Sequence, residues 1–151
     1  MNSHQQPQAE RAADAYLPGA HLVTERHGYA HHGIYIGHGR VIHYAGFCHA
    51  LRTGPVEETS LEAFAAGHAV AVRAQPCACY LGEDAVLRAR SRLGEDRYHL
   101  LTNNCEHFCT WCVLGTARSE QVEACLRHPR AALHTVLQLL RQLLQSGLRP
   151  A

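Results

Sequence analysis

The sequence contains no lysine, and all 14 of its Lys+Arg residues are arginine. It also lacks an apolar run of the roughly 20 residues that a membrane-spanning helix needs. Its first twenty residues lack the charged start and apolar stretch of a secretory signal. These absences predict a soluble, cytoplasmic protein without a stable membrane anchor. The net charge of only +1 gives no reason to expect a nucleic-acid partner.

Seven cysteines are present, and the number is odd. In a chain without a secretory signal this favours reduced thiols over a disulfide framework. The 151 residues suffice for one domain. We expect a flexible polar arm over residues 1–17, a main folded unit over 18–118 and C-terminal helices over 119–151 that pack on it.

Apolar periodicity and capping residues predict an α+β fold, a small antiparallel sheet packed with helices. Thr59 and Glu62 have the spacing of a capping box for a short helix that ends at Gly67. The predicted strands are His21–Glu25, a hairpin over Tyr29–Tyr44, a short strand opening at Val56, Ala69–Ala74 and a short extended piece at Tyr98–Leu101. The other predicted helices are Glu83–Leu93, Cys105–Leu114, one capped by Ser119 and one that begins at Pro129.

The last predicted helix is amphipathic. Its apolar stripe consists of Leu133, Val136, Leu137, Leu140, Leu143 and Leu144. Such a stripe usually packs on the core of its own domain, and we expect that here. A homodimer contact and a peripheral contact with lipid are the alternatives, and the pattern leaves the oligomeric state open.

Cys105 is the candidate nucleophile. It follows two residues of helix-capping type, Asn103 and Asn104, and therefore falls in the first turn of a helix. The positive end of the helix dipole stabilises a thiolate there. The ordinary alternative for a lone cysteine is a small buried hydrophobe, and Cys109 and Cys112 fit that interpretation because they extend a core-facing stripe with Phe108.

Four histidines in the predicted hairpin, at positions 31, 32, 38 and 43, offer candidate bases. Side chains alternate faces along a strand, so the turn decides which of them meet. A two-residue turn would place His32 with His43. A three-residue turn with Gly39 in the left-handed position would place His31 with His43. We prefer the second register.

A zinc site is the competing interpretation. His31, His43 and Cys105 form a possible His₂Cys ligand set, to which Cys77 and Cys79 would add two thiols. The Cys-x-Cys spacing is not typical of zinc ligands, and no acidic partner accompanies the histidine pair. We therefore predict neither a metal nor a cofactor.

Three segments together resemble a known family: GAHLVTERHGYAHHGIYIGHGRVIHYAG, VEETSLEAF and ARSRLGEDRYHLLTNNCEHFCTWC. They are similar to the lecithin:retinol acyltransferase-like family, particularly its short bacterial members, over about residues 18–123. The most specific elements are the Asn-Cys-Glu-His-Phe run around Cys105 and the frame HxGIYIGxGxVIH, which separates His31 from His43 by twelve residues.

The resemblance implies a circularly permuted papain-like (NlpC-type) fold, with residues 18–118 as its catalytic domain. It further implies a Cys-His-His triad that moves acyl groups through a thioester on the cysteine. Position by position, Cys105 matches the nucleophile, His31 the general base and His43 the residue that orients it. The implied partners are an acyl donor, either a phospholipid or an acyl thioester, and a small acceptor or water.

Two other functions compete with the acyltransferase or lipid hydrolase. The distantly similar NlpC-type enzymes are amidases or peptidases, but the chain shows no signal or wall-binding segment that would fit that role. A non-catalytic interaction module would be favoured by the replacement of a triad residue, and all three are present.

Overall fold

A computed structural model of the chain describes residues 15–46 and 52–147. Most of the predicted N-terminal arm and Cys48 lie outside the described residues. The strands are β1 (His21–Arg26), β2 (Tyr29–Gly37), β3 (Arg40–Gly46), β4 (Gly54–Ser60) and β5 (Val70–Val72). The helices are α1 (Leu61–Ala65), α2 (Glu83–Ser91), α3 (Cys105–Leu114), α4 (Glu120–Arg127) and α5 (Pro129–Gly147).

The five strands form one antiparallel sheet in the order β4-β3-β2-β1-β5. Helices α2 and α3 cover one face, where Ile34, Ile42 and Tyr44 of the sheet pack with Phe108 of α3. Phe64 of α1 covers the other face. The predicted α+β class, with helices packed on a small antiparallel sheet, is confirmed.

Helix boundaries follow the capping chemistry of the sequence at most positions. Asn104 and Ser119 cap α3 and α4, and Gly115 ends α3 in the left-handed conformation, as predicted. The predicted capping box of Thr59 is wrong. Strand β4 continues to Ser60, whose hydroxyl accepts from the Ala63 N–H instead. The predicted extended piece at Tyr98–Leu101 is reduced to one bridge, between His99 and Asn103.

The β2–β3 hairpin combines the two turn geometries that the sequence offered. The turn has two residues, His38-Gly39, with φ of 52° and 67°, so the three-residue turn is wrong. A bulge at Ile36, between Tyr35 and Gly37, then shifts the register by one residue. From Tyr35 to Gly33 the strand register is therefore the one that we preferred, and Gly33 pairs with His43.

Helix α5 leaves the described members of its apolar stripe exposed. Five members of the stripe are between 42% and 63% exposed: Leu133, Val136, Leu137, Leu140 and Leu144. The expectation that these side chains pack on the core of the domain is wrong. The helix instead contacts α4 and lies near the Gly28 turn through Gln138. Among the described residues, no helix combines the length and apolarity needed to cross a bilayer.

Candidate active site

Strands β2 and β3 separate at the end of the sheet that carries the predicted site. Their pairing runs from Gly37–Arg40 to Gly33–His43. Beyond that pair β2 extends four residues to Tyr29, while β3 continues to Gly46 along β4. The divergence opens the sheet beside His31, and this opening determines how the other groups of the site are placed.

His31 and His43 meet across the two strands. Nε2 of His31 lies 2.7 Å from Nδ1 of His43, and both rings pack against Phe64. Gly33 makes this packing possible, because a Cβ at that position would lie 2.8 Å from the Phe64 ring. The two imidazoles are therefore fixed by packing as well as by their hydrogen bond.

Burial lowers the pKa of His31 well below its usual 6.5, and the neighbouring His43 and Arg26 lower it further. Only 2% of His31 is exposed. The imidazole is consequently neutral at pH 7, which is the form that accepts a proton.

Cys105 begins α3 at the opening between the strands. Its Sγ lies 4.0 Å from the carbonyl oxygen of Ala30, the residue that precedes His31. The thiol approaches from the side of the sheet that packs on α3, whereas the His31 ring lies on the Phe64 side. The structure thus joins His31 to His43 directly, and it brings Cys105 to the backbone of β2 next to them.

The residues around Cys105 fix the start of the helix. The Asn104 side chain accepts from the N–H groups of Glu106 and His107. In return, the Asn104 N–H donates to Nδ1 of His107, which completes a capping box. His107 therefore has a structural role at the start of the helix.

At the opening, the side chain of Gln121 from α4 bonds to the backbone of β2, as a neighbouring strand would. Its side-chain oxygen accepts from the Ala30 N–H at 2.9 Å, and its Nε2 lies 3.3 Å from the Ala30 carbonyl oxygen. The backbone of β2 is thereby held beside Cys105 by a residue from another helix. No local pattern in the sequence indicates this contact, because the two residues lie 91 positions apart.

A buried polar network lies behind the site and centres on Glu106. Its carboxylate accepts from Arg73 and from Ser119, each at 2.6 Å, and from the side chain of Gln121 at 3.2 Å. Burial favours the neutral acid, but the hydrogen bonds from Ser119 and Arg73 outweigh it and hold the pKa of Glu106 at about 2. Glu106 is thus an ionised structural anchor between α3 and its neighbours.

His32 points into this network and away from His43. Its Nδ1 lies 2.8 Å from Nε2 of His21, and its Nε2 lies 3.4 Å from the Gln121 amide. Burial lowers the pKa of His21 to about 3 and that of His32 to about 4. His32 is therefore part of the interior, whereas His38 is exposed at the turn.

The remaining described cysteines differ from Cys105 in their surroundings. Cys109 and Cys112 are fully buried in the core, as the stripe predicted. Burial raises the pKa of Cys109 well above its usual value and that of Cys112 to about 12. Cys77 and Cys79 are exposed. Within residues 15–46 and 52–147, no group of three His, Cys, Asp or Glu side chains is arranged to hold a metal ion.

One acidic residue near the histidine pair was missed by sequence reasoning. Glu57 of β4 pairs with His43 in the sheet, and its Oε1 lies 3.3 Å from Nε2 of His43. The expectation that no acidic residue accompanies the histidine pair is therefore wrong. The register of β4 against β3 was needed to find the contact.

Comparison with known proteins identifies the family of this chain. The family model described as "Lecithin retinol acyltransferase" matches residues 14–118. The rat lecithin retinol acyltransferase is 30% identical over 137 residues, covering 73% of this chain and 59% of the rat protein. The bovine protein of the same name is 31% identical over 136 residues, covering 72% of this chain and 59% of its own length. The chain thus spans about three-fifths of these relatives, and it belongs to the lecithin retinol acyltransferase family.

Proposed function

We propose that this chain is a thiol-dependent acyltransferase or lipid hydrolase that works through an acyl-cysteine on Cys105. The observation that carries the proposal is the buried His31–His43 pair, with His31 neutral, beside the strand opening at which α3 presents Cys105. Family membership supports acyl transfer as the reaction class. Phospholipid or acyl thioester is the proposed donor, and a small acceptor or water completes the reaction.

In the first half-reaction, the Cys105 thiol gives its proton to His31 and Sγ attacks the acyl carbon. The new S–C bond forms as the C–O or C–S bond of the donor breaks. The leaving alcohol or thiol takes the proton back from His31. In the second half-reaction, His31 accepts a proton from the acceptor, whose attack on the thioester releases Cys105.

The position of His43 suits an orienting residue. Its hydrogen bond occupies Nε2 of His31, so Nδ1 is the nitrogen that we assign to proton transfer with Cys105. The reaction also needs a hydrogen-bond donor for the negative oxygen of the tetrahedral intermediate, and we assign this donor to the start of α3. The Asn104 side chain already accepts from the N–H groups of Glu106 and His107. We therefore assign the Cys105 N–H as the donor to this oxyanion.

Cys105 is expected to be the most reactive thiol of the chain. The dipole of α3 acts on Cys105, and in the proposed mechanism His31 accepts its proton, whereas Cys109 and Cys112 are buried in the core. Brief treatment with substoichiometric iodoacetamide at pH 7, followed by peptide mapping, should find the label on Cys105 first. Cys77 and Cys79 serve as internal controls for an exposed thiol without activation. Labelling of Cys105 no faster than that of Cys125 would contradict the assignment.

A further inference from the structure

A carboxylate continues the line of imidazoles beyond His43. Glu57 and His43 are direct partners on adjacent strands, and strand alternation places both on the Phe64 face of the sheet. The carboxylate oxygen Oε1 lies 3.3 Å from Nε2 of His43, while Nδ1 of His43 lies 2.7 Å from Nε2 of His31. The Glu57–His43 contact is at ion-pair distance without hydrogen-bond geometry, and the His43–His31 contact is a hydrogen bond, so the three side chains follow one another to the candidate base.

We infer that Glu57 is a positioning residue for the proposed acyl transfer, setting through His43 the ring nitrogen with which His31 acts as base. The inference rests on the proposed function of Cys105 and His31. It adds a fourth member, from β4, to the three residues that the family motifs supply.

The possible proton positions in the two rings decide which nitrogen of His31 can act as the base. A carboxylate can only accept hydrogen bonds, so it favours a proton on Nε2 of His43. Nδ1 of that neutral ring is then an acceptor, and Nε2 of His31 must donate to it. The remaining proton site of neutral His31, Nδ1, then holds a lone pair and can take the Cys105 proton. One carboxylate thus selects the tautomer of both rings.

The charge of Glu57 has a second effect during the reaction. When His31 takes the proton, the positive charge is stabilised along the same line. The other charged or titratable side chains around the pair are Arg26 on β1, Tyr35 on β2, His32 behind the strand and Cys105 on α3. Arg26 opposes a positive charge on His31, so among these described residues Glu57 supplies the anion that counters it.

Glu58 provides a matched control on the same strand. Its side chain is 32% exposed against 33% for Glu57, and it points to the opposite face, where it pairs with Arg40 at 2.9 Å. Glu58→Gln therefore removes an equal charge at equal exposure without touching the histidine pair.

The test measures acetyl transfer from p-nitrophenyl acetate to Cys105 by intact mass, in wild type, Glu57→Gln, Glu57→Leu, Glu57→Asp and Glu58→Gln. We expect Glu57→Gln to slow acylation roughly 10-fold and Glu57→Leu roughly 100-fold. Glu57→Asp keeps the carboxylate and should retain more activity than Glu57→Gln, and Glu58→Gln should match wild type. Nitrogen-15 NMR of the full chain should show His43 protonated on Nε2 in wild type and lose that preference in Glu57→Leu.

The outcomes separate the two proposals. A wild-type protein that is never acylated on Cys105 overturns the proposed function, and the tautomer of His43 then still tests the placement of Glu57. Wild-type acylation with an unchanged rate in Glu57→Gln and Glu57→Leu overturns the role of Glu57 alone. Equal losses in Glu57→Gln and Glu58→Gln, or a wild-type His43 protonated on Nδ1, also overturn it.

Discussion

Replacing His31 by alanine is expected to slow acylation of Cys105 by about 10³-fold or more, the loss typical when a triad member is removed. His31 carries the proton in both half-reactions of the proposed mechanism, and its ring hydrogen-bonds to that of His43. The rate is read from the growth of the acyl adduct in intact mass.

His32→Ala is the control for this prediction. His32 bonds to His21 in the polar network and not to His43. Its loss should reduce stability and leave acylation measurable in the folded fraction. The reverse pattern, with acylation abolished in His32→Ala and retained in His31→Ala, would contradict the assignment of the base.

Acid is expected to unfold the protein well above the pH at which its carboxylates titrate. His21, His31 and His32 all have pKa values lowered by burial, to about 3 for His21 and about 4 for His32. Above pH 6.5, the pKa of histidine in the unfolded chain, these side chains are neutral in both states and their contribution to stability is complete. Below it the unfolded chain takes up protons that the folded chain does not. Stability should therefore fall by up to roughly 4 kcal/mol per pH unit between pH 6 and 5, about 1.4 for each histidine.

Urea unfolding at a series of pH values checks this expectation. His32→Gln should reduce the slope of stability against pH by about one histidine's share, ~1.4 kcal/mol per pH unit. His38→Asn is the matched control for the loss of a histidine, because His38 is exposed at a turn where asparagine tolerates the positive φ of 52°. A free energy of unfolding that stays constant from pH 7 to 5 would contradict the buried, neutral state of these side chains.

The β2–β3 hairpin shows which features of the site local sequence patterns can predict. Alternation and turn residues predicted that His31, Gly33 and His43 share a face, and they do. The turn itself was wrong, because a two-residue turn followed by a bulge at Ile36 gives the same inner register as a three-residue turn. Turn chemistry alone does not distinguish the two, since both place Gly39 at positive φ.

The parts of the site that depend on long-range pairing could not be predicted. The contact of Glu57 with His43 requires the register of β4 against β3, and the bonds from Gln121 to Ala30 require α4 to dock at the strand opening. The sequence contains no local signature of either. Exposure of the α5 stripe is a similar case, because an amphipathic pattern fixes which face is apolar and not what covers it.

The most direct test of the account is the intact mass of the full chain after incubation with a phospholipid or an acyl thioester. The account predicts one added acyl group, mapped to Cys105, that is removed by hydroxylamine and by a small acceptor. The adduct should be absent in Cys105→Ala and persist in Cys125→Ala. An acyl adduct that forms equally in Cys105→Ala, or turnover of the acyl donor without dependence on Cys105, would contradict the acyl-cysteine mechanism.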